Sequence, residues 1–159
     1  MVEDVSFKLF EEKDLDQVVN INWTCLPENY NNSFFLELYY GFPKTFIVAT
    51  ASDKIVGYIT CRIETGFSEV KKLGIAKKGH IVSIAVLPEY RRKGIGSNLV
   101  SKALEGMIEY RANECYLEVR VGNNTAINIY KKLGFKPTKT INGYYRDGEG
   151  AYVMAKSLP

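Results

Sequence analysis

The sequence predicts an α/β fold, with a mixed central sheet of about seven strands flanked by about four helices. Three observations point there. Apolar residues switch between period two and helical spacing in the order β α α β β β α β α β β. His80–Val86 is a short, continuous apolar run, the pattern of a strand buried on both faces. PEYRRKGIG, residues 88–96, joins that run to an amphipathic helix and so reads as a strand-to-helix turn.

Each element follows from its own pattern. Val5, Phe7 and Leu9 alternate with polar neighbours and predict a first strand. Leu15, Val18, Val19 and Trp23 mark a helix that ends in LPENY, residues 26–30, because Pro27 disfavours continuation. Asn32 or Ser33 can cap a short second helix with Phe34, Phe35, Leu38 and Tyr39 on its apolar side, stopped by Gly41 and Pro43. TFIVATASDKIVGYITCRIE is β-rich on both sides of Ser52-Asp53-Lys54 and predicts a hairpin. Residues 65–78 read as a loop, followed by the strand GHIVSIAVL. Ile95, Leu99, Ala103, Leu104, Met107 and Ile108 form one helical stripe. Glu114–Val121 is a strand; Asn123 can cap a helix through Lys132 with Ala126, Ile129, Tyr130 and Leu133 inward, ended by Gly134. Two β-rich segments, Phe135–Ile141 and Ala151–Ala155, flank the loop NGYYRDGEG.

At 159 residues and 46% hydrophobic content, without repeats or a Pro/Ser-rich linker, the chain is expected to form one domain over residues 1–159. With 21 basic and 18 acidic residues, its charge does not imply a specific nucleic-acid partner, and Lys71-Lys72, Lys77-Lys78 and Arg91–Lys93 are explained by basic loops near a phosphate or a ribosome surface. Cys25, Cys61 and Cys115 are odd in number and lack a CxxC, which argues against a disulfide framework and a zinc site. With no signal-peptide pattern and no membrane-length apolar stretch, the expected home is the cytoplasm, with no membrane partner and no metal.

The turn before the third helix has a chemical reading. A helix N-terminus presents unpaired N–H groups and favours an anion, Gly94 and Gly96 let the backbone approach closely, and Arg91, Arg92 and Lys93 add charge. A diphosphate is the expected guest. GIGSNL lacks the third glycine of a dinucleotide fingerprint, and GIAKKGH, residues 74–80, puts His80 and Ile81 where a Walker loop needs Lys and Ser/Thr.

R-x-x-G-x-G at Arg91, Gly94 and Gly96, with N-x-x-A-x-x-x-Y-x-x-x-G-F from Asn123 to Phe135, resembles the GNAT superfamily of N-acetyltransferases. LPENY, GHIVSIAVLPEYRRKGIG, YLEVRVGN and GYYRDGEGAYVM resemble the NatA-type catalytic subunits of protein Nα-acetyltransferases and their archaeal counterparts. A GNAT-like fold and acetyl-CoA as co-substrate are what that resemblance implies. It also implies transfer to the free α-amine of proteins or peptides by direct attack in a ternary complex; helices 15–26 and 33–40 carry enough apolar and aromatic residues for an auxiliary-subunit interface, though core packing explains them as easily. One departure is YYRDGEGAY, where such proteins often carry YYADGEDAY; Arg146 and Gly150 sit at a place that bears on which peptides enter.

The resemblance assigns residues as well. His80, the only histidine, and Glu118 would relay the amine proton, and Tyr130 would donate to the CoA sulfur. Ile84, Ala85 and Val86 would offer backbone to the pantetheine arm and one N–H to the thioester carbonyl. Arg91, Arg92, Lys93, Gly94, Ile95 and Gly96 would cradle the pyrophosphate, and Asn123 would reach the cofactor. Glu28, Tyr30, Tyr144 and Tyr145 would line the peptide mouth.

The residues alone leave other readings open. Glu118 shares parity with Tyr116 and Arg120, which permits an inward or an exposed side; Tyr130 also fits core packing; and among eleven tyrosines, Tyr144-Tyr145 is an ordinary pair. An α-amine, with pKa near ~8 against ~10.4 for lysine, costs about 3 kcal/mol less to deprotonate, so a modest base suffices. The alternatives are a lysine acetyltransferase, a ribosomal-protein alanine acetyltransferase and a non-catalytic CoA-binding module. A cysteine hydrolase is disfavoured because no cysteine lies at a strand-to-helix elbow.

Overall fold

The computed structural model describes residues 4–159, so the first three residues of the expected unit lie outside the described residues. Seven strands form one sheet: β1 (Val5–Leu9), β2 (Phe46–Ala51), β3 (Lys54–Phe67), β4 (Ile75–Val86), β5 (Glu114–Arg120), β6 (Lys136–Ile141) and β7 (Ala151–Ser157), in the order β1-β2-β3-β4-β5-β7-β6. Every pairing is antiparallel except β4–β5. Four helices complete the fold: α1 (Leu15–Cys25), α2 (Asn32–Gly41), α3 (Ile95–Glu109) and α4 (Asn124–Lys132). The expected class, element order and counts all hold.

Local chemistry explains the elements. Asp14 does not cap α1 with its side chain; its carboxylate takes the Glu11 N–H and the Lys8 ammonium. Asn31, not Asn32 or Ser33, caps α2, because Asn31 is the last extended residue and its oxygen accepts from Phe34 N at 2.9 Å. Ser52 and Asp53 both have positive φ, 50° and 61°, the geometry of a two-residue turn that follows the twist of β2 and β3. Gly79 lets α3 lie tight on the sheet, since a Cβ there would stand 2.2 Å from Met107 Sδ.

The segment 65–78 is not a loop throughout. β3 continues to Phe67 and β4 begins at Ile75, pairing Thr65 with Lys77 and Gly66 with Ala76, so the connection is only residues 68–74. The sequence hid this because its anchors are distant: buried Glu114 accepts from Ser68 Oγ and Glu69 N, and buried Lys78 pairs with Glu69. Trp23 and Ile108, expected inward, are 60% and 40% exposed, while Ile21 and Met107 take the buried places. In α4 the buried pair is Ile127 and Tyr130; Ala126, Ile129 and Leu133 are half-buried.

Two irregularities in β4 build the site. Register with β3 shifts between Thr60/Ser83 and Cys61/Ile81, leaving Val82 as an extra residue that bends the strand. Pairing with β5 covers only Lys78/Glu114, Gly79/Cys115 and His80/Tyr116. Beyond His80 the two parallel strands part, and the gap is a cleft of about 700 Å³.

Candidate active site

The walls of the cleft come from separate parts of the chain. β4 contributes Ile81 to Ile84, β5 contributes Leu117 to Arg120, α4 contributes Ala126 and Tyr130, the α1–α2 connection contributes Cys25 to Glu28 and Tyr30, and the β6–β7 loop contributes Tyr144, Tyr145 and Arg146. Of the expected residues, Glu28, Tyr30, Ile84, Glu118, Asn123, Tyr130, Tyr144 and Tyr145 line it. His80 stands one hydrogen bond behind Glu118. Ala85 and Val86 are not part of the lining; they carry β4 on towards the turn, antiparallel to Tyr58 and Gly57.

His80 and Glu118 meet directly: Nε2 lies 2.8 Å from Glu118 Oε1. The other ring nitrogen, Nδ1, lies 3.1 Å from Glu64 Oε2, and Tyr116 donates to Glu64 Oε1 at 2.6 Å. The imidazole stacks on the Tyr116 ring at 4.3 Å and 3°. Parity is thereby resolved. Tyr116, Glu118 and Arg120 share the face of the sheet that carries His80, not an exposed edge. Burial, with Glu64 second, drives the Tyr116 phenol far above its ordinary pKa, so it remains a donor.

Arg120 ties the mouth together. Its Nη1 donates to Asp147 and to Glu149, its Nη2 donates to Glu28, each at 2.9 Å, and its guanidinium lies 4.0 Å from the Tyr145 ring centroid. One side chain on β5 therefore fixes both the α1–α2 connection and the β6–β7 loop. The hydrogen bond to Glu149 is the main reason its pKa is raised. The Glu28 carboxylate, expected as a feature of the entrance, is there but already paired. Tyr30, Tyr144 and Tyr145 all have raised pKa values, through burial first and then nearby carboxylates, so the mouth presents neutral phenols.

Asn22 sets the α1–α2 connection from below. Fully buried, it donates to the Glu28 carbonyl at 3.1 Å and to the Tyr58 hydroxyl at 3.1 Å, and accepts from Tyr30 N at 2.9 Å. Tyr58 in turn bonds Ser83 at 2.7 Å beside the extra residue in β4, and burial pushes its phenol up to about 12. Tyr130 is also pushed up to about 12 by burial, and no side-chain hydrogen bond ties its hydroxyl among the described residues. Burial raises the Cys61 and Cys115 thiols as well, which removes them as nucleophiles.

At the far end of β4 the turn is open. Gly94 caps α3 with φ of 79°, which a Cβ would strain, and a Cβ on Gly96 would meet nothing within 4 Å. Asn98 N bonds Gly94 O, so the N–H groups of Ile95, Gly96 and Ser97 have no intrahelical acceptor. Arg91, Arg92 and Lys93 are exposed; Arg91 Nε donates to the Val86 carbonyl, and Lys93 lies 5.4 Å from the Tyr90 ring centroid. Asn123 lines the cleft while its oxygen caps α4 through Ala126 N at 3.2 Å. These residues fit a diphosphate-bearing cofactor. Among the described residues no group of three or more His, Cys, Asp or Glu could hold a metal ion.

The sequence profile of the acetyltransferase (GNAT) family matches residues 15–135. The chain belongs to the GNAT acetyltransferase family. This acetyltransferase is 53% identical over 147 residues to the N-alpha-acetyltransferase of Sulfurisphaera tokodaii, covering 91% of this chain and 88% of that one. The crystal structure of Ard1 from Thermoplasma volcanium superposes with a TM-score of 0.84 at 32% identity, over 98% of both chains. Arabidopsis thaliana Naa50, solved with the bisubstrate analogue CoA-Ac-MVNAL, superposes at 0.80 with 34% identity, over 97% of this acetyltransferase and 99% of that chain.

Sequence reasoning did not reach Asn22, Tyr58, Glu64, Tyr116 or Arg120. Arg120 carried a signal, its parity with Glu118 inside YLEVRVGN. Glu64 carried none, because taking 65–78 as a loop removed the register that sets it beside His80.

Proposed function

We propose that this enzyme moves the acetyl group of acetyl-CoA to the free α-amine of protein N-termini by direct attack in a ternary complex. The observation that carries the reading is the Glu118–His80 pair at the cleft where β4 and β5 part. The relative from Sulfurisphaera tokodaii, named an N-alpha-acetyltransferase, and the Naa50 structure with its CoA-peptide analogue support the same substrate pair.

Acetyl-CoA supplies an activated acyl group and a thiolate leaving group. Every other function falls to the chain. The open N-terminus of α3, with Arg91, Arg92, Lys93, Gly94, Ile95 and Gly96, holds the pyrophosphate, and Asn123 adds a contact from α4. Ile84, Ala85 and Val86 offer the β4 backbone edge that β5 leaves unpaired, with one N–H directed at the thioester carbonyl as oxyanion donor. Glu118 takes the ammonium proton with His80 behind it, leaving a neutral amine to attack. Tyr130, kept protonated, donates at the sulfur. Glu28, Tyr30, Tyr144 and Tyr145 shape the peptide mouth, and Arg146, on the cleft wall, sets peptide preference with them.

The whole chain acts as one unit in the cytoplasm, in keeping with three free cysteines; no described helix is long and apolar enough to cross a membrane. Trp23 and Tyr40, 60% and 64% exposed on α1 and α2, support contact with an auxiliary subunit. Mass spectrometry of two peptide sets incubated with acetyl-CoA tests the reading. One set has a free α-amine, no lysine and a varied first residue; the other has a blocked terminus and one lysine. Acetylation of the first set is expected. Modification of the second set alone would make this a lysine acetyltransferase, and product in neither would leave a cofactor-binding module.

A further inference from the structure

We infer that Glu64 is a positioning residue for the proton-accepting pair: it takes the Nδ1–H of His80 and so directs Nε2 at Glu118. The inference rests on the proposed roles of His80 and Glu118. Three contacts fix the geometry. Glu64 Oε2 lies 3.1 Å from Nδ1, its Oε1 is held by the Tyr116 hydroxyl at 2.6 Å, and the imidazole lies flat on the Tyr116 ring. A flip of the ring would break its bond to Glu64, and a tilt would break its stack on Tyr116. A carboxylate accepts only, so Nδ1 carries the hydrogen and Nε2 is left to exchange one with Glu118.

The proton balance is simple. An N–H bond of the substrate ammonium breaks, its electron pair stays on the amine nitrogen, and the proton comes to rest between Glu118 Oε1 and Nε2. The 2.8 Å separation of those atoms is the geometry of the pair holding that proton, which passes to water before the next amine is deprotonated. Nδ1 keeps its own hydrogen throughout, and Glu64 balances the charge of the imidazolium. This is the role an orienting carboxylate plays behind a catalytic histidine.

Charged and titratable groups face the ring from each neighbouring strand: Arg62 and Glu64 on β3, Lys78 on β4, and Tyr116 and Glu118 on β5. Lys78 lies 4.8 Å from the Tyr116 ring centroid and pairs with Glu69, so it reaches His80 only through that ring. Among the described residues, Glu64 is the one carboxylate besides Glu118 in contact with the imidazole.

His80 is the only histidine, so its ¹⁵N and ¹³C imidazole signals in the full chain report one ring without ambiguity. Wild type, Glu64→Gln, Glu64→Ala and Tyr116→Phe would be compared for tautomer, melting temperature and acetylation of a lysine-free peptide. Wild type is expected to show Nδ1 protonated in its neutral ring. Glu64→Gln keeps an acceptor and hence the tautomer, Glu64→Ala mixes the tautomers, and Tyr116→Phe mixes them less. With Glu64→Ala, kcat should fall about 10- to 100-fold with the KM for acetyl-CoA unchanged, and Glu64→Gln should restore part of it. An unchanged tautomer in Glu64→Ala would overturn the inference, as would a kcat loss that follows melting temperature alone. If wild type acetylates no peptide, the functional reading fails and positioning for catalysis fails with it, while the ring signals still decide whether Glu64 orients His80.

Discussion

The cleft beside β5 and the turn before α3 are the two ends of the site, and they are built differently. At the β5 end, side chains from five regions interlock: Glu64, His80, Tyr116 and Glu118 form one chain of contacts, and Arg120 bridges three carboxylates. At the α3 end, exposed cations and unpaired N–H groups surround open space at Gly96. In the proposed mechanism, one end is preorganised for a proton and an amine, where small displacements cost rate. The other offers backbone donors to an anion that brings its own charge, and tolerates variation in any single side chain. Lesions at the first should therefore act on kcat, and lesions at the second on the KM for acetyl-CoA.

That contrast can be broken in order of expected size. His80→Ala should lower kcat on the order of 10²-fold while acetyl-CoA binding by calorimetry is unchanged; a loss of binding instead would merge the two ends. Asn22→Ala removes a buried residue bonded to Glu28, Tyr30 and Tyr58. It should cost about 3 kcal/mol in urea unfolding and raise the peptide KM more than the acetyl-CoA KM. A stability loss with an unaltered peptide KM would show that Asn22 does not set the mouth.

The network beneath the mouth also predicts an alkaline limit. Tyr58 is held protonated up to about 12, against about 10 when unfolded, so above pH 10 the unfolded state loses a proton that the folded state keeps. Stability is full below pH 10 and falls by about 3 kcal/mol towards pH 12 from this group alone, and Tyr130 adds to the fall with the same sign. Denaturant titrations at pH 8 to 11.5 should show the slope flatten in Tyr58→Phe. At the open end, the double change Arg92→Ala with Lys93→Ala should raise the KM for acetyl-CoA about tenfold, roughly 1.4 kcal/mol, with kcat preserved and the effect shrinking at high salt. A fall in kcat there would contradict the division.

The same contrast explains what the sequence disclosed. The turn was legible because its chemistry lies in consecutive backbone positions: Gly94, Gly96 and the helix start can be read without knowing what lies across the sheet. Strand and helix order was legible from periodicity, and only the extent of β3 and β4 was missed, since Glu114 pins that hairpin from 45 residues away in sequence. His80 and Glu118 were found through resemblance to a family, and their contact is 38 residues apart. Glu64, Asn22 and Arg120 act across 16, 36 and 92 residues, distances at which no local pattern carries information. Trp23 shows the limit of a helical stripe: its spacing matches the core, yet its indole lies outside and donates to the Tyr30 carbonyl.

In the proposed mechanism, Glu118, backed by His80, accepts the proton of an α-amine beside an independently bound acetyl-CoA. A single-turnover measurement tests it most directly: Glu118→Gln and wild type, each loaded with acetyl-CoA, are mixed with a lysine-free peptide, and acetylated product is followed by mass spectrometry. This mechanism predicts equal acetyl-CoA affinity and a transfer rate lower by on the order of 10³-fold in Glu118→Gln, partly recovered at higher pH as the amine loses its proton to water. Equal transfer rates in the two proteins would contradict it.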